Sequence, residues 1–300
     1  MNGLIVCVGN GVLDQVYEVD ALPQAGVKTT ARTFRESGGG PAATAAVAIA
    51  RLGGRAAWWG RVGEDAAGRF LREELTRYGV DPSGLRTVAG ARTVRATVIV
   101  DPAGERSILV DRAGMPSDPG LLPDDDLAGV AVLLADTRWP EGSAEAFRRA
   151  GDAGVVRVLD ADGGDATVLA RLAEAAEHVV FSDEGLTDLV GPGEAEERLA
   201  RAAERLGGVV AVTLGAAGSL WSLDGDTVAV PAHRVAVRDT TGCGDVFHGA
   251  YTLGLAEGLS PLAAARFASA AAALKAANGR GWDGMPDRTA LDRLRIEAAP

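Results

Sequence analysis

The chain of 300 residues is 47% hydrophobic and 24% charged, with 40 glycines spread along it. That composition excludes disordered and fibrous proteins and allows one large core. Thirty basic residues against 41 acidic ones give a formal net charge of −11, which would repel a phosphate backbone or an anionic membrane surface, so neither nucleic acid nor membrane is an expected partner.

The apolar run LIVCV at residues 4–8 reads as a buried strand. Residues 12–36 follow with period-two patterning broken by turn residues, and then the alanine-rich stretch from Pro41 to Leu52 has the small side chains of a helix packed closely on a sheet. Residues 56–59 read as strand and Gly68 to Tyr78 as helix; residues 92–111 return to period-two patterning, with a hairpin turn expected at Asp101-Pro102-Ala103-Gly104. The acidic run Asp124 to Asp126 is expected to open a helix. Strands at 131–135, 155–159, 179–181 and 209–213 then alternate with helices such as Ser143 to Ala153 and Ala195 to Leu206, and Leu262 to Ala277 is a core helix interrupted by Arg266 and Lys275. This alternation predicts an α/β protein with a mainly parallel sheet between helical layers. The two irregular segments form a small β-sheet beside it, placed to act as a lid. The expected division is a core of residues 1–9, 37–90 and 116–300 and a lid of residues 10–36 and 91–115.

Several chemistries lack sequence support. Lys28 and Lys275 are the only lysines and neither follows a P-loop pattern; the three histidines show no metal spacing, and no serine sits in a G-x-S-x-G elbow. Gly9-Asn10-Gly11 is a poor dinucleotide fingerprint because Asp14 takes the third glycine position and a β-segment follows. The two cysteines, Cys7 and Cys243, fit a reducing compartment. With no basic, apolar leader at its start, the chain reads as a cytoplasmic enzyme.

The most informative segment is Asp239-Thr240-Thr241-Gly242-Cys243-Gly244-Asp245. Glycines alternating with small residues at a helix start expose backbone N–H groups that, with the helix dipole, favour developing negative charge. Asp245 at its edge is placed to take a proton from a hydroxyl that attacks a phosphorus held there; the plainer alternative is an acidic residue in a first turn.

Together with SGGGPAATAAVAIARLGG at 37–54, the turn Thr213 to Gly218, the early VGN and Asp14, this segment resembles the ribokinase family of PfkB-type carbohydrate kinases over about residues 4 to 287. The resemblance implies a three-layer ribokinase-like fold, ATP and Mg²⁺, with a monovalent cation as an optional third. It implies Asp245 as base, Gly242, Cys243 and Gly244 as the anion hole, and Thr213, Gly215, Gly218 and Thr240 around the nucleotide. Asp14, Gly39 and Gly40 match the sugar positions. The family's Asn-x-x-Glu motif for magnesium and phosphate is replaced by Ser182 and Gly185, leaving Asp183 and Glu184 between them as the metal candidates. Ala43 stands where ribokinases have a ribose-gripping asparagine, and Cys243 where an alanine is usual. Cys243 reads as a simple small replacement, with an acidified, reactive thiol as the alternative.

A narrower likeness in GRVGEDAAGRFLREEL and LADTRWPEGSAEAF is to sulfofructose kinases, which phosphorylate 6-deoxy-6-sulfofructose at its 1-hydroxyl. It matches Lys28, at the start of a lid strand, and Arg138 to sulfonate-binding positions; Arg112 is taken as a further contact, beside Val110 and Asp111 where an asparagine is expected. The expected partner is therefore an anionic sugar. A homodimer through the lid is also expected, with Val12, Val98 and Ile99 as pointers. Other sugar kinases, a nucleoside kinase and a sugar sensor without turnover are the alternatives.

Overall fold

The computed structural model describes residues 3–103, 105–112, 114–223 and 225–297. In chain order the elements are β1 (Leu4–Val8), β2 (Val12–Glu18), β3 (Thr33–Gly39), α1 (Pro41–Arg51), β4 (Arg55–Gly63), α2 (Ala66–Arg77), β5 (Leu85–Val88), β6 (Arg95–Val100), β7 (Arg106–Asp111) and β8 (Val130–Asp136). There follow α3 (Pro140–Asp152), β9 (Val156–Ala161), α4 (Ala166–Glu174), β10 (His178–Ser182), α5 (Asp183–Val190), α6 (Ala195–Leu206), β11 (Val209–Thr213), β12 (Ser219–Leu223), β13 (Asp226–Val230), α7 (Cys243–Ala256), α8 (Pro261–Asn278) and α9 (Arg288–Glu297).

The large sheet among the described residues runs β13-β12-β11-β10-β9-β8-β1-β4-β5. Its strands from β5 to β11 are parallel, and β12 and β13 close one edge as an antiparallel hairpin. Period-two alternation sends Ile5 and Cys7 of β1 into one core and Val6 and Val8 into the other, so the sheet is buried on both faces. Helices α1, α2, α7 and α8 cover the first face and α3 to α6 the second. The alanines of α1 and α8 are core, as the sequence implies. Close approach explains them: a β-carbon at Gly249 of α7 would lie 2.6 Å from the Ala45 carbonyl oxygen of α1.

The two irregular segments do make a separate four-stranded sheet, β3-β2-β6-β7, parallel between β2 and β6 and antiparallel elsewhere. Its own core is Val16, Ala96 and Val98. Of the hairpin turn expected at 101–104, Gly104 lies outside the described residues, while β6 and β7 pair antiparallel across it and Asp101 Oδ1 accepts from Ala103 and Glu105 amides.

Asp124 to Asp126 open no helix. They lie in the loop before β8, where Asp125 and Asp126 accept from the amides two residues ahead and so hold turns that compete with helix. Lys28 starts no strand: Pro23 and Gly26 (φ 76°) break the chain, and β3 begins only at Thr33. Of the dimer pointers Val98 is buried, and the exposed apolar residues of the small sheet are Phe34, Ile108, Leu109 and Val110.

Candidate active site

Strand β1 lies between β4 and β8, which makes the carboxyl end of β1 the point where the sheet's winding reverses and a crevice opens. The chain fills its floor tightly. Asp136, the last residue of β8, accepts from the Ala42 amide at 3.1 Å and the Arg138 amide at 2.8 Å, so a buried carboxylate caps the start of α1. A side chain at Gly9 would collide with that carboxylate, and one at Gly40 (φ 93°) with the Asn10 carbonyl. Gly39 lies against the carboxylate of Asp14, which burial pushes up to about 7 against the opposing charge of Arg35.

The second wall is the loop that leads into α7. Asp239 Oδ1 accepts from the Thr241 amide at 2.8 Å, the Cys243 amide turns back onto the Thr240 carbonyl at 3.2 Å, and Gly242 takes a left-handed conformation (φ 73°) as the helix N-cap. Gly244 faces open space, and Asp245 stands in the first turn. First-turn amides have no acceptor within their own helix, so this end attracts negative charge. Burial raises the Cys243 thiol to about 11, with Lys275 opposing. This speaks for Cys243 as a small replacement rather than an acidified thiol: the loss of water, with the charges of Asp239 and Asp245, outweighs Lys275 and Arg106.

Burial also raises Asp245, to about 7, reinforced by the charges of Asp160, Asp162 and Asp136 and opposed by His248. Asp160, which lies near the end of β9, is held well above the usual carboxylate range by burial and then by its acidic neighbours. The His248 ring faces two carbonyl oxygens, Gly244 at 2.8 Å and Val180 at 3.1 Å, with Asp160 3.4 Å from Nδ1. Burial pulls its pKa down while those acceptors pull it up. A carboxylate poised near neutrality, beside amides that welcome an anion, can take a proton from an attacking hydroxyl.

A cavity of about 640 Å³ lies between the small sheet and this loop. Asp14 and Thr240, both singled out by the sequence, line it together with Asp239 and Thr241. Arg32, Arg35, Arg106, Arg238 and Arg280 line it too, none of them marked by a local signal in the sequence. Arg106 of β7 crosses from the small sheet to donate to Thr241 Oγ1 at 2.6 Å and to Thr240 Oγ1. Asp136 and Asp160 were also passed over, although a carboxylate at the end of an apolar strand was a visible signal.

The other expected residues are more dispersed. Thr213 ends β11 and donates to the Phe181 carbonyl at 3.2 Å, and Gly215 (φ 57°) and Gly218 (φ 97°) shape the turn that follows, on the same sheet edge. Ser182 caps α5 through the Gly185 amide at 2.9 Å; Asp183 pairs with Arg198 at 2.6 Å, and Glu184 packs beside Gly163. Arg138 pairs with Asp162 and donates to the Gly163 carbonyl at 3.1 Å, tying the ends of β8 and β9. Lys28 and Arg112 are exposed. Of the expected site residues only Asp14 and Thr240 line the cavity; Asp245 with the Gly242 to Gly244 turn, Gly39, Gly40, the turn after β11, and Lys28, Arg112 and Arg138 lie outside its lining. Among the described residues no group of three or more His, Cys, Asp or Glu side chains is arranged to hold a metal ion.

The family described as "pfkB family carbohydrate kinase" matches residues 2–287. The chain belongs to that family. A pfkB chain of this kind is a sugar kinase of the ribokinase and fructokinase type, a phosphotransferase that uses a hydroxyl acceptor. It is similar to a ribokinase of Arabidopsis thaliana, 31% identical over 97% of this chain and 80% of the relative, and to a fructokinase of Klebsiella pneumoniae, 32% identical over 85% of each. The solved Arabidopsis ribokinase complexed with ribose and ATP superposes with a TM-score of 0.85, is 30% identical, and covers 98% of this chain and 99% of that one. The pfkB assignment therefore rests on residues 2–287 and on the ribokinase-like fold, with its large mainly parallel sheet and small accessory sheet.

Proposed function

We propose that the enzyme transfers the γ-phosphoryl group of MgATP to a primary hydroxyl of an anionic ketose, with 6-deoxy-6-sulfofructose, giving its 1-phosphate, as the first acceptor to test. The observation that carries the reading is Asp245: a carboxylate raised to about 7 in the first turn of α7, behind an open Gly244. Asp245 accepts the proton of the attacking hydroxyl, and the first-turn amides of α7 receive the transferring phosphoryl group. Asp14, with Gly39 and Gly40, holds the sugar. Thr213, Gly215, Gly218 and Thr240 hold the nucleotide, and the Arabidopsis relative's complex with ATP supports ATP as that nucleotide.

Magnesium arrives with the nucleotide, since a phosphate-bound Mg²⁺ needs only one or two carboxylates besides water. Of the two expected carboxylates Glu184 is the better candidate, because Asp183 is engaged with Arg198. The small sheet serves as the lid: Arg106 latches it to Thr240 and Thr241, and closure keeps water from competing as acceptor. The anionic acceptor is supported by the five arginines of the cavity, set against the four carboxyl groups of Asp14, Glu18, Asp101 and Asp239, rather than by Lys28, Arg112 and Arg138, which stand outside it. The outer strand β7 exposes Ile108, Leu109 (74% exposed) and Val110, and we place a homodimer contact there.

The test is a coupled ADP-release screen of sulfofructose, fructose, fructose 6-phosphate, ribose, keto-deoxy sugar acids and nucleosides. Sugar-stimulated turnover abolished by Asp245→Asn, with anionic ketoses preferred and the preference weakened by Arg35→Ala, is the expected result. A preference for neutral ribose or fructose overturns the anionic part, and ligand binding without turnover overturns the kinase.

A further inference from the structure

Lys275 is one of two lysines in a chain that otherwise uses arginine. It lies near the end of α8 with 1% of its surface exposed. Its ammonium donates to the Thr241 carbonyl at 3.0 Å and to the Gly279 carbonyl at 3.4 Å. Thr241 belongs to the loop that opens α7, so this buried charge sits directly behind the phosphoryl site. The same helix end fastens the start of that loop, because the Arg238 and Asp239 amides donate to the Ala276 carbonyl at 2.9 and 3.2 Å. The Asp239 carboxylate adds a favourable charge, and the carbonyl end of an 18-residue helix adds its dipole.

Main-chain carbonyls gathered around one buried positive charge, with a carboxylate nearby, are the surroundings that hold a small monovalent cation. The need for such a charge follows from the loop itself. Peptides that turn their N–H groups outward toward a phosphoryl group turn carbonyls inward, where each needs a partner once water is gone. A compact ammonium fits this position; a planar guanidinium, with its fixed fork, does not.

We propose that Lys275 is a positioning residue acting as a tethered monovalent cation. Its ammonium gathers the inward carbonyls of Thr241 and Gly279, holds the loop in the shape that opens the α7 N-terminus, and frees the enzyme from any need for dissolved potassium or ammonium. The proposal rests on the kinase reading for its catalytic part only.

The test compares wild type, Lys275→Ala and Lys275→Arg in tetramethylammonium, potassium and ammonium salts at equal ionic strength. Turnover, melting temperature and binding of thallium(I), followed by ²⁰⁵Tl NMR, are measured on each. Wild type is expected to be indifferent to the cation and to bind no thallium. In tetramethylammonium, Lys275→Ala is expected to lose turnover by about tenfold or more, mainly in kcat rather than sugar KM. Potassium or ammonium should restore it saturably, raise its melting temperature, and compete with bound thallium; Lys275→Arg should not be restored.

Wild type stimulated several-fold by potassium overturns the proposal. So does a folded Lys275→Ala that is fully active without a cation, or one whose loss no cation repairs. If Lys275→Ala folds only when potassium is present, the proposal is supported; if it folds in no salt, the proposal is rejected. Were no sugar turned over by wild type, the kinase reading would fail while melting and thallium binding still decided this one.

Discussion

Asp245→Asn separates catalysis from stability because the two should move in opposite directions. Burial and the neighbouring charges of Asp160, Asp162 and Asp136 raise this carboxyl from its ordinary range to about 7. A shift of roughly three units corresponds to about 4 kcal/mol at most, and partial solvent access at the crevice reduces it to about 2 kcal/mol. Since the folded pKa lies above the unfolded one, the folded state binds this proton more tightly. The carboxyl is therefore harmless to stability below about pH 4 and increasingly costly as pH rises toward 7, with no further change above. Asparagine imitates the protonated carboxyl at every pH. The melting temperature of Asp245→Asn should thus match wild type at low pH and exceed it by about 5 °C at pH 8, given roughly 2–4 °C per kcal/mol for a protein of this size. Turnover should fall by about 10² to 10⁴ at every pH. Wild-type kcat/KM should rise with pH through about 7 and level off as the base becomes ionised. Melting curves from pH 4 to 8 beside steady-state kinetics check both. A constant gap in melting temperature, or a less stable variant, would refute the account of a strained carboxylate.

Three further substitutions probe the walls of the crevice. Gly244→Ala meets no atom within 4 Å and should leave the melting temperature unchanged, yet its methyl stands in the open space before the α7 amides. Single-turnover kinetics should show kcat reduced by about 10²-fold, in line with losses at oxyanion-hole donors. Gly40→Ala requires a left-handed side chain that collides with the Asn10 carbonyl, and denaturant unfolding should show a loss of about 2 kcal/mol or more. Arg106→Ala removes the exposed latch between β7 and the Thr240 and Thr241 hydroxyls. It should change stability by no more than about 0.5 kcal/mol while lowering kcat/KM for the sugar several-fold, measured by the coupled assay.

The layered fold was legible because its strands are buried on both faces and read as unbroken apolar runs, as in LIVCV and VVAVT. The short strands β5 and β13 carry exposed polar positions such as Arg86, Thr87 and Asp226, and β12 mixes serines with apolar residues, so local pattern does not separate them from loop. Asp245 and the Gly242 turn were legible because a helix start with alternating glycines leaves a local mark. The cavity arginines left none: the pairing of β3, β2, β6 and β7 brings Arg35 and Arg106 together, and Arg280 joins them from the loop after α8. Lys275 looked like an interruption in an alanine helix, since nothing local tells a solvated ammonium from one turned onto a carbonyl 34 residues away.

The chain passes between the two sheets four times: after β1, before α1, after β5 and before β8. Anchored along that seam, the small sheet in its proposed role as lid is expected to tilt as a flap rather than swing as an arm, with its outer edge β7 held to the opposite wall by Arg106. The sheet's interior is small, Val16, Ala96 and Val98 with Val12 and Val100 packed against them, and β2 and β3 also rest on α1 and α2. In its proposed role as lid, a sheet with so thin an interior is the part of the crevice expected to loosen first when a sugar enters.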